Sequence, residues 1–264
     1  MAGAEIWSAL PDLKKRPGFG TGPSREPYYL STDQISPWRD FYHLVRQQSV
    51  QHYGIPRALP PTVQSEQYIV GNENGEFSRL VQHISEALSV TLRSMNLAFG
   101  DPQAGTCTLG DDPGPVPDVT IQCYGNPGEI RVVGEVKTYW TTDLKKMKKA
   151  EFARLLGQLA RYMDDYETAY GFFTTYQQTV FLKRSHTFTF QVSPVVYHRT
   201  ILTPRFEDVS LKECLFFIAT IAAGNSWQST RRVGELLTMG TWTAQSPVIF
   251  SETGISLTSE SYSG

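Results

Sequence analysis

Apolar residues recur at helical spacing in one long stretch: Phe77, Leu80, Val81, Ile84, Leu88, Leu92 and Met95. That spacing predicts a helix over 75–99 with Asn74 as its cap. A second stripe, Leu144, Met147, Phe152, Leu155, Leu156, Leu159 and Met163, predicts another over 142–166. Between them the pattern becomes that of strands. Residues 118–124 and 130–137 flank the turn text Gly125-Asn-Pro-Gly128 and read as a β-hairpin. Val132, Val133 and Val136 make the second strand nearly continuously apolar, as expected of a strand buried on both faces. Three more runs, 169–175, 179–183 and 188–197, are dominated by aromatic and β-branched residues. An apolar run over 211–223 reads as a helix too short to span a bilayer. Helix, hairpin, helix, strands and helix predict an α/β protein in which helices flank a central mixed sheet.

The ends differ from the middle. Residues 1–35 mix Pro, Gly, Ser and charge without periodicity and read as an extended arm. Trp38, Phe41, Leu44 and Val45 predict a short helix over 37–50, and 56–61 reads as a linker. The last residues are rich in Ser, Thr and Glu and lack an apolar pattern. The expected organisation is an N-terminal arm with a short helix (1–65), one main domain (66–245) and a disordered tail (246–264).

The hairpin carries the candidate chemistry. Alternate strand residues share a face, so Glu135 and Lys137 point the same way. Asp118 on the first strand would then add a second carboxylate, giving a hard-cation site beside an ammonium. Metal-assisted phosphodiester hydrolysis needs such a set: oxygen ligands hold the ion, the ion activates water, and a lysine stabilises developing charge. The same residues also fit an Asp that closes a loop and an exposed Glu–Lys pair at a strand tip. Glu76, one turn before Leu80, is a candidate third carboxylate, although an acid at a helix start is also favoured by the helix dipole. Lys145, Lys146, Lys148 and Lys149 crowd the start of the second predicted helix, where that dipole disfavours cations. They are candidates for phosphate contacts or, equally, a solvated face. Gln158 and Tyr162, four apart, share a helix face.

Pro117-Asp118 followed by Glu135-Val136-Lys137 resembles the PD-(D/E)XK motif of a large nuclease superfamily. Gln158-Leu-Ala-Arg-Tyr162 resembles the Gln-x-x-x-Tyr element of its exonuclease-like branch. The overall likeness, over about residues 66–225, is closest to fungal PD-(D/E)XK nuclease-like proteins. The resemblance implies a restriction-endonuclease-like core and Mg²⁺- or Mn²⁺-dependent hydrolysis of nucleic acid, with DNA as the expected substrate. It implies Asp118, Glu135 and the Val136 carbonyl as metal ligands and Lys137 as the group that orients water. Glu76 and Gln158 would support them, and Tyr162 would join the lysines in contacting nucleic acid. A catalytically inactive nuclease-like module for nucleic-acid or protein binding, of effector or toxin type, is the alternative. Its arms would recruit a partner.

Composition adds soft bounds. The 264 residues carry a net charge of −2, so no strong unselective affinity for nucleic acid is implied. Cys107, Cys123 and Cys214 are widely spaced, which argues against a zinc ribbon or disulfide framework. No secretory leader and no membrane span are expected, and an intracellular setting, nucleus or cytoplasm, fits. Lys14-Lys15-Arg16 reads as a nuclear address or as a solvated basic cluster. The histidines lack metal-ligand spacing, and no nucleophile elbow, Walker loop or kinase signature occurs.

Overall fold

In the computed structural model, the described residues are 5–15, 17–18, 30–56, 67–104, 116–124, 128–186, 189–201 and 208–229. The tail expected over 246–264, most of the expected linker, Arg16 and Cys107 lie outside them. The strands are β1 (Lys14–Lys15), β2 (Ile35–Pro37), β3 (Ile69–Val70), β4 (Leu97–Gly100), β5 (Val119–Cys123), β6 (Ile130–Val136), β7 (Tyr170–Thr174), β8 (Gln178–His186), β9 (Thr189–Val192) and β10 (Val196–Tyr197). The helices are α1 (Phe41–Tyr53), α2 (Glu73–Ser94), α3 (Lys149–Asp165) and α4 (Leu211–Ala223).

Eight strands form one mixed sheet in the order β2-β9-β8-β7-β6-β5-β4, with β10 added to β8. The pairs β6/β7 and β2/β9 are parallel, and the other neighbours are antiparallel. A parallel pair needs a crossover, and α3 supplies it between β6 and β7. Alternation along β6 divides the core. Val132 and Val136 join a cluster with α1, α2 and α4, whereas Val133 joins one with Phe152, Leu156, Leu159 and Met163 of α3. The protein is thus an α/β fold with a central mixed sheet covered by helices on both faces. No helix among the described residues is long and apolar enough to cross a membrane.

Several expectations are corrected. The helix predicted over 75–99 runs Glu73–Ser94, and Asn72 rather than Asn74 caps it, its side chain accepting from the Gly75 N–H at 2.9 Å. Asn96 has φ +58°, which ends the helical path and turns the chain into edge strand β4. The helix predicted over 142–166 starts only at Lys149. Upstream of it, side chains take the backbone donors: Leu144 N–H bonds Gln178 Oε1 at 2.6 Å and Lys145 N–H bonds Asp143 Oδ1 at 3.2 Å. The short helix expected over 37–50 begins at Phe41, because Ile35–Pro37 pairs with β9.

The segment 5–15 does not extend away from the domain as an arm. Ile6, Trp7 and Leu10 are buried in the same cluster as α4. Polar contacts fasten it: Leu10 N–H to His198 O at 2.8 Å, Tyr176 OH to Pro11 O at 2.8 Å, and Lys212 Nζ to Ser8 Oγ at 2.8 Å. Asp12 accepts from Arg199 and pairs with His198, and the Arg199 hydrogen bond is the main reason its carboxyl falls to about 2. Lys14 and Lys15 then form β1, paired with Ile69 and Val70 of β3.

Candidate metal centre

The hairpin register builds the centre. Val119 lies opposite Gly134, so Asp118, one residue earlier, lies beside the end of β6. Its N–H donates to Gly134 O at 3.1 Å, and its Oδ2 accepts from the Val136 N–H at 2.7 Å. Gly134 permits this close approach: a Cβ there would sit 2.4 Å from Phe172 Cζ and 2.6 Å from Val119 Cγ1. On the opposite face from Gly134, Glu135 is only 2 % exposed.

The third carboxylate is Glu73, the first residue of α2. One ligand oxygen from each of Glu73, Asp118 and Glu135 lies within 4.8 Å of the other two. Lys137 Nζ donates to Glu135 Oε1 and to Glu73 Oε1, the latter at 3.3 Å. Burial raises the Asp118 carboxyl above its ordinary value, against the lowering effects of the Val136 N–H and Lys137. Burial also raises Glu73, Lys137 lowers it and the Asp118 charge raises it further. Proximity of like charges and poor solvation are what a divalent cation relieves.

Asp118, Glu135 and Lys137 come together as expected. Glu76 does not complete the set. It is fully buried, accepts from the Tyr139 N–H at 3.3 Å, and its second oxygen finds no donor among the described residues. Burial pushes its carboxyl up to about 8. Glu76 thus lies beneath the segment after Lys137, and Glu73, three residues earlier on α2, takes the role expected of it. The signal for Glu73 was the Asn72 cap, which moves the helix start two residues back. Val136 contributes its N–H to Asp118.

The helix pair and the lysines also need correction. Gln158 Nε2 donates to Tyr162 OH. Tyr162 is 1 % exposed and packed with Leu159 and Met163, so it is a core residue rather than a surface that meets nucleic acid. Lys145, Lys146 and Lys148 are exposed but precede α3, and Lys149 is its first residue. Lys146 pairs with Asp143 at 2.9 Å.

Comparison of the chain with protein-family models, with curated proteins and with solved structures gives no match. The site's chemistry therefore rests on its own geometry: three carboxylates placed so that they could hold a metal ion, with a lysine held against two of them.

Proposed function

We propose that this protein is a metal-dependent nuclease with a restriction-endonuclease-like core, hydrolysing phosphodiester bonds of nucleic acid, with DNA as the expected substrate. The observation that carries the reading is the convergence of Glu73, Asp118 and Glu135 beside Lys137 at the end of a buried strand. A helix leads into the hairpin and another follows it, in the order of the PD-(D/E)XK motif. Mg²⁺ or Mn²⁺ suits an oxygen-only set, since both are hard cations. Glu73, Asp118 and Glu135 would hold it, with the Val136 carbonyl as a further ligand.

The bound ion supplies Lewis acidity and an acidified water. The chain's own residues do the rest. Asp118 binds with one oxygen while the other keeps the two strands in register. Glu135, buried and fixed in the sheet, orients its carboxylate with little rotamer freedom. Lys137 holds the nucleophilic water and offsets the negative charge that builds on the phosphorus oxygens. Lys145, Lys146, Lys148 and Lys149 follow the metal strand in sequence and would neutralise flanking phosphates.

Purified protein should nick or degrade DNA with Mg²⁺ or Mn²⁺ and be silent in chelator. Cleavage that needs no metal, or none on DNA or RNA when calorimetry reports bound metal, refutes the reading.

A further inference from the structure

An aromatic and basic strip runs along the flank of α2 away from the acidic centre. Tyr139 and Trp140 follow Lys137 after Thr138, their rings in edge contact at 4.9 Å, and Glu76 beneath them holds the Tyr139 N–H. Lys15 Nζ lies 4.6 Å from the Trp140 ring centre. Trp140 Nε1 is shut from water yet finds no acceptor among the described residues. Lys15 pairs in register with Val70, and Tyr68 lies two residues before Val70, just ahead of β3. Tyr68 is 50 % exposed and has the Arg79 guanidinium over its ring at 5.3 Å. Arg79 sits six residues beyond Glu73 on the same helix, a rise of about 9 Å. Lys14, next to Lys15 and paired with exposed Ile69, extends the positive charge outward.

An exposed tyrosine and a partly buried tryptophan, each with a cation beside its ring and beginning next to the acidic end, are features that suit unpaired nucleic acid. Each base offers a π-face to stack, and the lysines and arginine take the phosphates or cap the rings. In a duplex the base faces are stacked on one another, which leaves Tyr68 and Trp140 nothing to stack on. From this arrangement we infer that Tyr68, Trp140, Lys14, Lys15 and Arg79 form a binding strip for single-stranded nucleic acid that feeds the metal centre. The choice of ligand rests on the nuclease reading, and the strip adds strandedness to it. It also differs from the lysine turn before α3, whose cations have no exposed aromatic ring interleaved.

The test is fluorescence anisotropy on the full chain, with labelled oligo(dT), oligo(U) and a DNA duplex of equal length, in Ca²⁺ buffer. Both single strands should bind at least about tenfold tighter than the duplex. Tyr68→Ala and Trp140→Ala should each weaken single-strand binding by about 5- to 140-fold, the range of one lost base stack, and change duplex binding much less. Trp140→Phe should restore most of the loss. Lys14→Gln with Lys15→Gln should flatten the salt slope by about 0.7 per lost contact. Tyr68, half exposed, can be replaced without disturbing the core, so a misfolded Trp140 variant leaves the test intact. Tighter duplex binding, no binding to any probe, or unchanged single-strand affinity in folded Tyr68→Ala overturns the strip. Selective single-strand binding without Mg²⁺-dependent cleavage overturns the nuclease reading and leaves the strip standing. Cleavage with the strip variants indistinguishable from wild type on single strands does the reverse.

Discussion

Lys137→Met offers a test of the centre that does not need a substrate. The ammonium is 12 % exposed and is shared between Glu135, at 3 %, and Glu73, at 39 %. Its removal leaves the oxygens of Glu73, Asp118 and Glu135 within 4.8 Å of one another without that counter-charge. Breaking a fully buried pair costs about 3–5 kcal/mol, and the solvent at Glu73 puts this site at the lower end, about 3 kcal/mol. For a chain of this size that is a fall in Tm of roughly 6–12 °C. A divalent ion at a hundred times its Kd returns about 2.7 kcal/mol, so Mg²⁺ should recover most of the loss. The assay is a pair of thermal melts, wild type and variant, in chelator and in saturating Mg²⁺ at neutral pH. The variant should melt lower in chelator and gain more from Mg²⁺ than wild type does. With metal bound, its turnover should still fall by ~10²-fold or more, because the lysine acts on transition-state charge. Equal melting temperatures in chelator, or an equal Mg²⁺ gain in the two proteins, would refute the view that Lys137 neutralises a metal-binding carboxylate set.

Glu73→Gln should weaken Mg²⁺ binding, measured by isothermal calorimetry, while Glu76→Gln should leave the affinity within about threefold, since Glu76 lies outside the ligand set. Glu76 also sets a pH dependence. Its folded carboxyl is raised from 4.5 to about 8, so its stabilising contribution is complete below 4.5 and disappears as pH rises through about 8. Urea midpoints should therefore decline across that window and decline less steeply in Glu76→Gln, with the residual slope coming from Glu213, which burial raises to about 7, and from Glu73 and Asp118, which burial also raises. Gly134→Ala should cost about 1–3 kcal/mol by denaturant unfolding, because the added methyl meets Phe172 and Val119. An unchanged midpoint would show that the hairpin relaxes around it.

The hairpin was legible because its signals are local: an alternating strand, a nearly continuously apolar one, turn residues between, and Asp118, Glu135 and Lys137 together at the far end. Helix α4 was legible for the same reason. The start of α2 was not, because its apolar periodicity begins only at Phe77, and Asn72 and Asn74 are equally good caps on paper. That ambiguity moved the third carboxylate from Glu73 to Glu76. Strand β4 was hidden because Phe99 continues the spacing of Leu92 and Met95, and only the positive φ of Asn96 breaks it. The N-terminal segment carries no periodicity, yet Trp7 and Ile6 are among the most buried side chains. Its partners, His198, Tyr176 and Lys212, lie far along the chain, and such pairings leave no trace in a sequence window.

Asp118 serves architecture with one oxygen and, in the proposed function, ligation with the other, and these two duties can be lost separately. A lineage that abandons catalysis still gains from an acceptor at this position, because the Val136 N–H would otherwise end the hairpin unpaired. An aspartate or asparagine at 118 in a relative would therefore be a poor marker of an active enzyme. Glu73 and Glu135 share the Lys137 ammonium, so a change at either alters the charge of the centre itself, and these are the positions at which inactivation would leave its record.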